Sequence, residues 1–197
     1  EALRDVRVVA IAAGLHHSMV LTDKGEVLSF GRGALGRLGH RLLEYEEYQL
    51  DRANQLVPKV IEALRGRRVV AIAAGDAHSM VLTDKGVVLS FGLGRYGRLG
   101  HGDEENQLMP KLVEALRDVK VASVVAGDVD SLALSEAGGV YAWGNHLQLG
   151  HGDQQSQLMP TLVEALKDVV VASVAAGGAH SMAVTAAGTV YSWGYGY

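Results

Sequence analysis

The chain has 197 residues, a net charge of −4 and no cysteine, and 48% of its residues are hydrophobic. The missing cysteine excludes a disulfide framework and a thiol nucleophile, and the negative charge argues against a nucleic-acid partner. No uninterrupted apolar stretch approaches the roughly 18 residues of a membrane-spanning helix. We therefore expect no membrane insertion and an intracellular protein, cytoplasmic or nuclear.

The first 61 residues contain four short segments with the composition of β-strands. Residues 8–13 form an apolar run, residues 18–22 form a second, and the Asp-Lys-Gly turn at Gly25 predicts a hairpin into a third strand at 27–30. A weaker fourth strand is predicted at 58–61. Its first residue is a proline, which suits an edge strand because proline cannot donate to a ladder.

The same pattern returns four times along the chain. An Ala-Gly pair follows the first predicted strand and ends at Gly14, Gly75, Gly127 and Gly177, which are 61, 52 and 50 residues apart. An aromatic-glycine pair closes the third strand of every unit. Four strands in about 50 residues are typical of a β-propeller blade, and 25 glycines disfavour a helical solenoid. We predict an all-β fold, a β-propeller of about four blades.

The four predicted units form a single array. They lie at about residues 6–66, 67–118, 119–168 and 169–197, and the last one stops before the segment that forms the fourth strand elsewhere. Unpaired blade faces expose strand edges and apolar surface. We therefore expect an incomplete sector of a larger propeller, or one completed by self-association, with a closed four-bladed ring as the alternative.

Several elements recur together at fixed spacing, and these carry a family resemblance. Residues 69–86 read VVAIAAGDAHSMVLTDKG, residues 89–92 read LSFG, and residues 97–103 read GRLGHGD. Over essentially the whole chain this pattern resembles the regulator of chromosome condensation repeat. The resemblance implies a propeller, usually of seven blades. The family commonly has cysteine before the repeat glycine where this chain has alanine, which indicates a consensus-like or engineered variant or a lineage that avoids the thiol.

The resemblance also implies where a partner would be contacted. In the exchange factor of this family, Asp and His residues at the turn after the first strand contact a Ran-type small GTPase. The residues of this chain at those positions are His16, His17, Asp76, His78, Asp128, Asp130 and His180. Ordinary capping of the turns by Asp and His is the alternative interpretation of each.

The first unit contains an insertion at residues 41–53. Thirteen residues lie between His40 and Asn54, against four between His101 and Asn106. The segment mixes apolar, tyrosine and acidic residues and is predicted to form about three helical turns. Loops on rigid scaffolds often carry binding specificity, although the segment could instead cover a blade edge. The candidate partner-binding residues in it are Leu42, Leu43, Tyr45, Tyr48 and Leu50.

Other motifs in the chain suggest chemistry that their context does not support. Residues 31–36 and 92–97 match the dinucleotide pattern G-x-G-x-x-G, but they recur with the repeat and continue into Arg-Leu-Gly-His instead of a helix. Histidines recur at two positions per unit, and residues on different blades do not converge on one metal ion. We expect each imidazole to fix its own turn, and we predict no cofactor and no metal.

Serine follows histidine directly in three of the units, as at His78 and Ser79. Adjacent residues of a strand point to opposite faces, so these pairs do not form a nucleophile and its base. We predict that the chain is not a hydrolase or an oxidoreductase. If it has an activity at all, we expect nucleotide exchange on a GTPase.

Three functional hypotheses remain open at this point. The leading one is a non-enzymatic protein-interaction module, a propeller scaffold that uses its face turns and the insertion to bind another protein. The second is a guanine-nucleotide exchange factor for a Ran-type small GTPase. The third is an engineered or consensus repeat protein without a ligand, which the missing cysteines favour.

Overall fold

The computed structural model describes residues 3–40, 54–145 and 149–195, which form four antiparallel sheets. The first sheet contains β1 (Val8–Ala13), β2 (His17–Thr22), β3 (Val27–Gly31) and β4 (Gln55–Val60). The second contains β5 (Val69–Ala74), β6 (His78–Thr83), β7 (Val88–Gly92) and β8 (Gln107–Leu112). The third contains β9 (Val121–Ala126), β10 (Asp130–Ser135), β11 (Val140–Gly144) and β12 (Gln157–Leu162). The fourth contains β13 (Val171–Ala176), β14 (His180–Thr185) and β15 (Val190–Gly194).

Each sheet is a meander in which consecutive strands pair, and the predicted all-β propeller fold is confirmed. The helices among the described residues are 3-10 turns at Ala34–Gly36, Glu62–Leu64, Arg95–Gly97, Glu114–Leu116 and Glu164–Leu166. None of them is long and apolar enough to cross a membrane. Gly25 has a φ of 79° at the predicted hairpin, a conformation that residues with a Cβ rarely adopt.

The fourth strand of the first unit starts earlier than predicted. Pro58 was expected at its first position, but β4 begins at Gln55 and contains the proline. The pairing with β3 jumps from Ser29↔Lys59 to Gly31↔Gln55, so Pro58 falls in an irregular stretch of an edge strand. The missing N–H donor is therefore tolerated in the interior of this strand.

The core lies between successive sheets. Met19 and Leu21 of the first sheet pack with Val81 and Phe91 of the second, and a similar cluster joins each later pair of sheets. Phe91 and Trp143, from the aromatic-glycine pairs of the second and third units, have no exposed surface and lie in these clusters.

The outer faces of the first and last units lack this cover. Ile11 is 79% exposed, whereas the equivalent Val124 of the third unit is 7% exposed. On the fourth unit Val190 is 58% exposed, whereas the equivalent Val140 is 1% exposed. Positions that form core at the internal boundaries are therefore exposed in the first and last units of the array.

Candidate functional site

The turns that connect the first and second strands of the four units meet at one end of the molecule. Their Ala-Gly sequences, with Leu15, Asp76, Asp128 and Gly178, line a single cleft of about 330 Å³. We call this end the turn face and define it by Leu15, His16, Asp76 and Asp128. Leu15 is 66% exposed, His16 and Asp128 are exposed, and Asp76 is half-buried.

The seven turn residues predicted from the sequence separate into two groups. His16, Asp76, Asp128 and His180 have surface available to a partner. His17, His78 and Asp130 are buried, with 3%, 0% and 0% of their surface exposed. The exposed group is therefore the part of the set that can touch another protein directly.

The buried histidines connect neighbouring units. The Nε2 atom of His17 lies 2.7 Å from the Oγ of Ser79 in the second unit, and that hydroxyl donates to the carbonyl oxygen of Arg37 at 2.8 Å. His78 repeats the arrangement with Ser131 at 2.9 Å, whose hydroxyl donates to the carbonyl oxygen of Arg98 at 2.8 Å. The expectation that each imidazole fixes only its own turn is wrong for these two histidines.

The direction of these hydrogen bonds excludes a nucleophilic serine. Because the hydroxyl hydrogen of Ser79 is donated to a carbonyl, the serine accepts from His17, whose Nε2 must carry the proton. Burial and the nearby Arg37 lower the pKa of His17 to about 4, and burial and Arg98 lower the pKa of His78 to about 3. Both rings are neutral donors near pH 7 and act as clamps between units, not as bases.

Two buried arginines hold the backbone under the turn face. Arg37 donates from Nε to the carbonyl of Ala34 at 3.0 Å and from Nη1 to the carbonyl of Asp76 at 3.1 Å. Arg98 donates from Nη1 to the carbonyl of Asp128 at 2.8 Å. The guanidinium groups thus fix the backbone of both aspartates and leave the carboxylates on the outside.

Arg37 and Arg98 are not among the residues predicted from the sequence. The available signal was their recurrence before the Leu-Gly-His segments of the first two units, where the third unit has glutamine. Burial lowers the pKa of both guanidinium groups, but not enough to remove a charge that arginine keeps in any protein. A positive charge is therefore held at the backbone of Asp76 and of Asp128.

Asp130 occupies in the third unit the position of the buried histidines. Its Oδ2 accepts a hydrogen bond from the Oγ of Ser181 at 3.4 Å, and its Oδ1 has no partner among the described residues. Burial raises the pKa of Asp130 to about 7. The link between the third and fourth units is therefore longer and contains a carboxyl group that is only partly ionised near neutral pH.

The second set of histidines fixes loops within single units, as predicted. Nε2 of His40 lies 3.0 Å from the Oγ of Ser29, and His101 makes the same contact with Ser90 at 3.0 Å. In the part of the chain that the structure describes, no three metal-ligating side chains converge. The insertion at residues 41–53, with the predicted contacts Leu42, Leu43, Tyr45, Tyr48 and Leu50, lies outside the described residues.

Comparison with known proteins gives the same family over the whole chain. A family model described as an RCC1-like domain matches residues 1–197. The human E3 ubiquitin-protein ligase HERC2 is 42% identical over 146 residues, which are 73% of this chain and 3% of that protein. The ultraviolet-B receptor UVR8 of Arabidopsis thaliana is 36% identical over 144 residues, or 73% of this chain and 31% of the receptor.

Solved structures share the arrangement of the blades. Human WBSCR16 matches with a TM-score of 0.85 and 32% identity over 97% of this chain and 48% of its own. Yeast Prp20, whose crystal structure was described with its binding properties to Gsp1p and histones, matches with a TM-score of 0.76 and 30% identity over 97% of this chain and 46% of its own. The chain thus spans less than half the length of these relatives.

Proposed function

The chain belongs to the RCC1-like domain family, and on that premise we propose that it is a protein-interaction module whose partner docks on the turn face. The observation that carries the proposal is the placement of Asp76 and Asp128. Their carboxylates reach the surface from a backbone that buried Arg37 and Arg98 hold in place. A surface that is fixed before binding loses little conformational entropy when a partner docks.

The chemistry of the turn face indicates the kind of contact it makes. Two carboxylates suit lysine or arginine side chains of a partner, and Leu15 offers apolar area beside them. Yeast Prp20, which is 30% identical, binds Gsp1p and histones, and this supports a protein as the partner. We expect a partner that presents basic side chains around an apolar contact.

Charge-neutral substitutions test the role of this face. The Asp76→Asn and Asp128→Asn double variant is compared with Asp84→Asn, an exposed aspartate in the hairpin turn at the opposite end. Proteins captured by the tagged chain are quantified by mass spectrometry, and direct binding is then measured with each purified candidate. We expect binding to fall at least about tenfold in the double variant and to persist in Asp84→Asn. Equal binding by all three proteins would contradict the proposal.

A second candidate function is nucleotide exchange on a Ran-type GTPase, which the 30% identity to yeast RCC1 over 97% of this chain favours. The test is release of fluorescent GDP from such a GTPase with catalytic amounts of this chain. Acceleration that is lost in the Asp76→Asn and Asp128→Asn double variant would support exchange through the turn face. No acceleration would remove this candidate and leave the interaction module.

We further propose that the insertion contributes to partner binding. Deletion of residues 41–53 is expected to preserve the cooperative unfolding transition and to weaken partner capture, because the segment adds tyrosine and leucine side chains to the scaffold. Circular dichroism and the capture assay give the two readouts. Loss of folding on deletion would instead assign the segment to covering a blade edge.

The exposed outer faces support association of this chain with itself. Ile11 and Val190 are exposed although their equivalents are buried between units. Light scattering over a range of concentrations is expected to give a mass above that of the 20.9 kDa monomer. An Ile11→Asp and Val190→Asp double variant should be monomeric. A wild-type chain that stays monomeric at all concentrations would contradict this part of the proposal.

A further inference from the structure

At the end opposite the turn face, the connection between β4 and β5 departs from the repeat. It reads Arg-Gly-Arg-Arg at residues 65–68, whereas the equivalent connections read Arg-Asp-Val-Lys at 117–120 and Lys-Asp-Val-Val at 167–170. An Asp-Val pair in two units is thus replaced by Gly66 and Arg67 in the first connection.

The backbone changes together with the sequence. In all three connections the fourth residue of the turn donates to the first, as in the 3.0 Å bond from the N–H of Arg67 to the carbonyl of Leu64. Arg65 has a ψ of 137° and Gly66 a φ of 79°, which is a type II turn that favours glycine. The equivalent Arg117 has a ψ of −41°, as in a type I turn. The difference is therefore built into the turn and is not confined to side chains.

The valines of the other two connections fill space between units. Val119 packs against the core between the second and third sheets, and Val169 packs against the core between the third and fourth. Arg67 takes the place of these valines and is exposed. A cleft of about 390 Å³ lies here, with an apolar floor that includes Val27, Ile61 and Leu64.

The rim of this cleft is strongly basic. Four cationic side chains line it, together with the carboxylate of Glu26; the cations are Lys24, Arg65, Arg67 and Arg68. Arg65 also pairs with Glu62 outside the cleft. The hairpin that carries Lys24 is tied to the second unit by the bond from the N–H of Val69 to the carbonyl of Gly25 at 3.1 Å. In a chain with a net charge of −4, this is a local concentration of positive charge.

We propose that this cleft, the arginine cleft, binds an acidic peptide segment of a partner protein, with one aliphatic side chain on the apolar floor and carboxylates on the arginine rim. At the other two boundaries the equivalent position carries a valine that packs against the core, which favours an aliphatic side chain here. Exposed guanidinium groups bind carboxylates through paired hydrogen bonds. The arginine cleft is separate from the turn face, so its occupant does not compete with a partner there.

The test uses a displayed library of random 12-residue peptides, selected on the full chain and counter-selected on a matched variant. That variant combines Gly66→Asp with Arg67→Val. Its residues 64–67 then have the Leu-Arg-Asp-Val sequence of residues 116–119. Enriched peptides are synthesised with a fluorescent label, and their affinity is measured by anisotropy. The variant keeps the fold because it copies a turn that the chain already contains.

We expect enriched peptides with several Asp or Glu residues around one Val, Ile or Leu. Their affinity should fall at least about tenfold on the matched variant and should weaken as ionic strength rises from about 0.05 to about 0.3 M. Glu26→Gln should tighten binding a few-fold, because it removes the one carboxylate of the lining. Changing the aliphatic residue of the peptide to serine should weaken binding.

Three results would overturn the proposal. The first is a selection that enriches no peptide over the matched variant, and the second is a consensus without net negative charge. The third is an oligonucleotide of equal charge that binds as tightly as the selected peptide, because the cleft would then be a general polyanion surface. A peptide that binds equally to the Asp76→Asn and Asp128→Asn double variant confirms that the two surfaces are independent.

Discussion

The internal boundaries of this array are built at the same positions but with different chemistry. At the first two, a neutral histidine donates to a serine of the next unit, and the serine donates onward to a carbonyl. At the third, Asp130 accepts from Ser181 at 3.4 Å, and its Oδ1, like the Nδ1 of both histidines, has no partner among the described residues. The three links thus join equivalent positions, but the side chain that donates at the first two boundaries is replaced at the third by one that accepts.

This difference gives the boundaries opposite responses to pH. The lowered pKa values of His17 and His78 mean that the unfolded chain takes up protons first, so their boundaries lose stability as pH falls below about 6.5. The raised pKa of Asp130 means that the folded chain keeps its proton longer, so the third boundary loses stability as pH rises from about 4 to about 7. The comparison predicts that the weakest boundary near pH 8 is the third.

Removal of a clamp at an internal boundary should have the largest effect. His78→Ala leaves a cavity at a fully buried position and removes the donor to Ser131, so we expect a loss of about 3 kcal/mol in the free energy of unfolding. Urea denaturation at pH 7.5 measures the change. His180→Ala is the matched control, because that histidine is exposed and should change stability by less than about 0.5 kcal/mol. Equal losses would refute the clamp.

Replacement of Asp130 should separate the third boundary from the other two. Asp130→Asn removes the cost of ionising a buried carboxyl. The free energy of unfolding of the variant, relative to that of the wild type, should therefore rise by about 2 kcal/mol as the pH increases from 5 to 8. The difference in melting temperature at several pH values checks this, since the histidine contributions are the same in both proteins. Asp128→Asn, two residues away and exposed, should show a smaller trend, because the charge of Asp128 contributes less than burial to the raised pKa of Asp130. A constant difference at all pH values would mean that Asp130 does not titrate in this range.

The sequence was sufficient for the strands because their signals are local. The predicted run at 8–13 coincides with β1, and the glycine turn at Gly25 follows from the positive φ that a tight hairpin needs. The predicted start of β4 was wrong, because a proline inside the strand is tolerated only through the irregular register between β4 and β3. Pairing between strands is a property of two segments, and one segment alone does not determine it.

The candidate site was only partly predictable for a related reason. The repeat phase located His17 and His78 at equivalent turns, but their partners lie in the following unit, so a search within one unit misses the link. Comparison of the units also identifies Asp130, because the other three units have histidine at its position. Its burial, however, depends on the packing of β10 between two other sheets. Likewise, the Arg-Gly-Arg-Arg connection is visible in the sequence, but the cleft beside it depends on the fold, which brings residues 24–27 next to residues 64–68.

The smallest of the expected effects tests whether the serine is part of the clamp or only beside it. Ser131 is fully buried and connects the Nε2 of His78 to the carbonyl of Arg98, so Ser131→Ala leaves both groups without this partner and should cost about 1 to 2 kcal/mol. Ser18 holds the same position in the first unit but is half-buried, and Ser18→Ala should stay within about 0.5 kcal/mol. In a double-mutant cycle, His78→Ala and Ser131→Ala should couple by about 1 kcal/mol, because either change alone breaks the same hydrogen bond. Additive losses would mean that the two side chains stabilise the boundary independently, through packing and not through their contact.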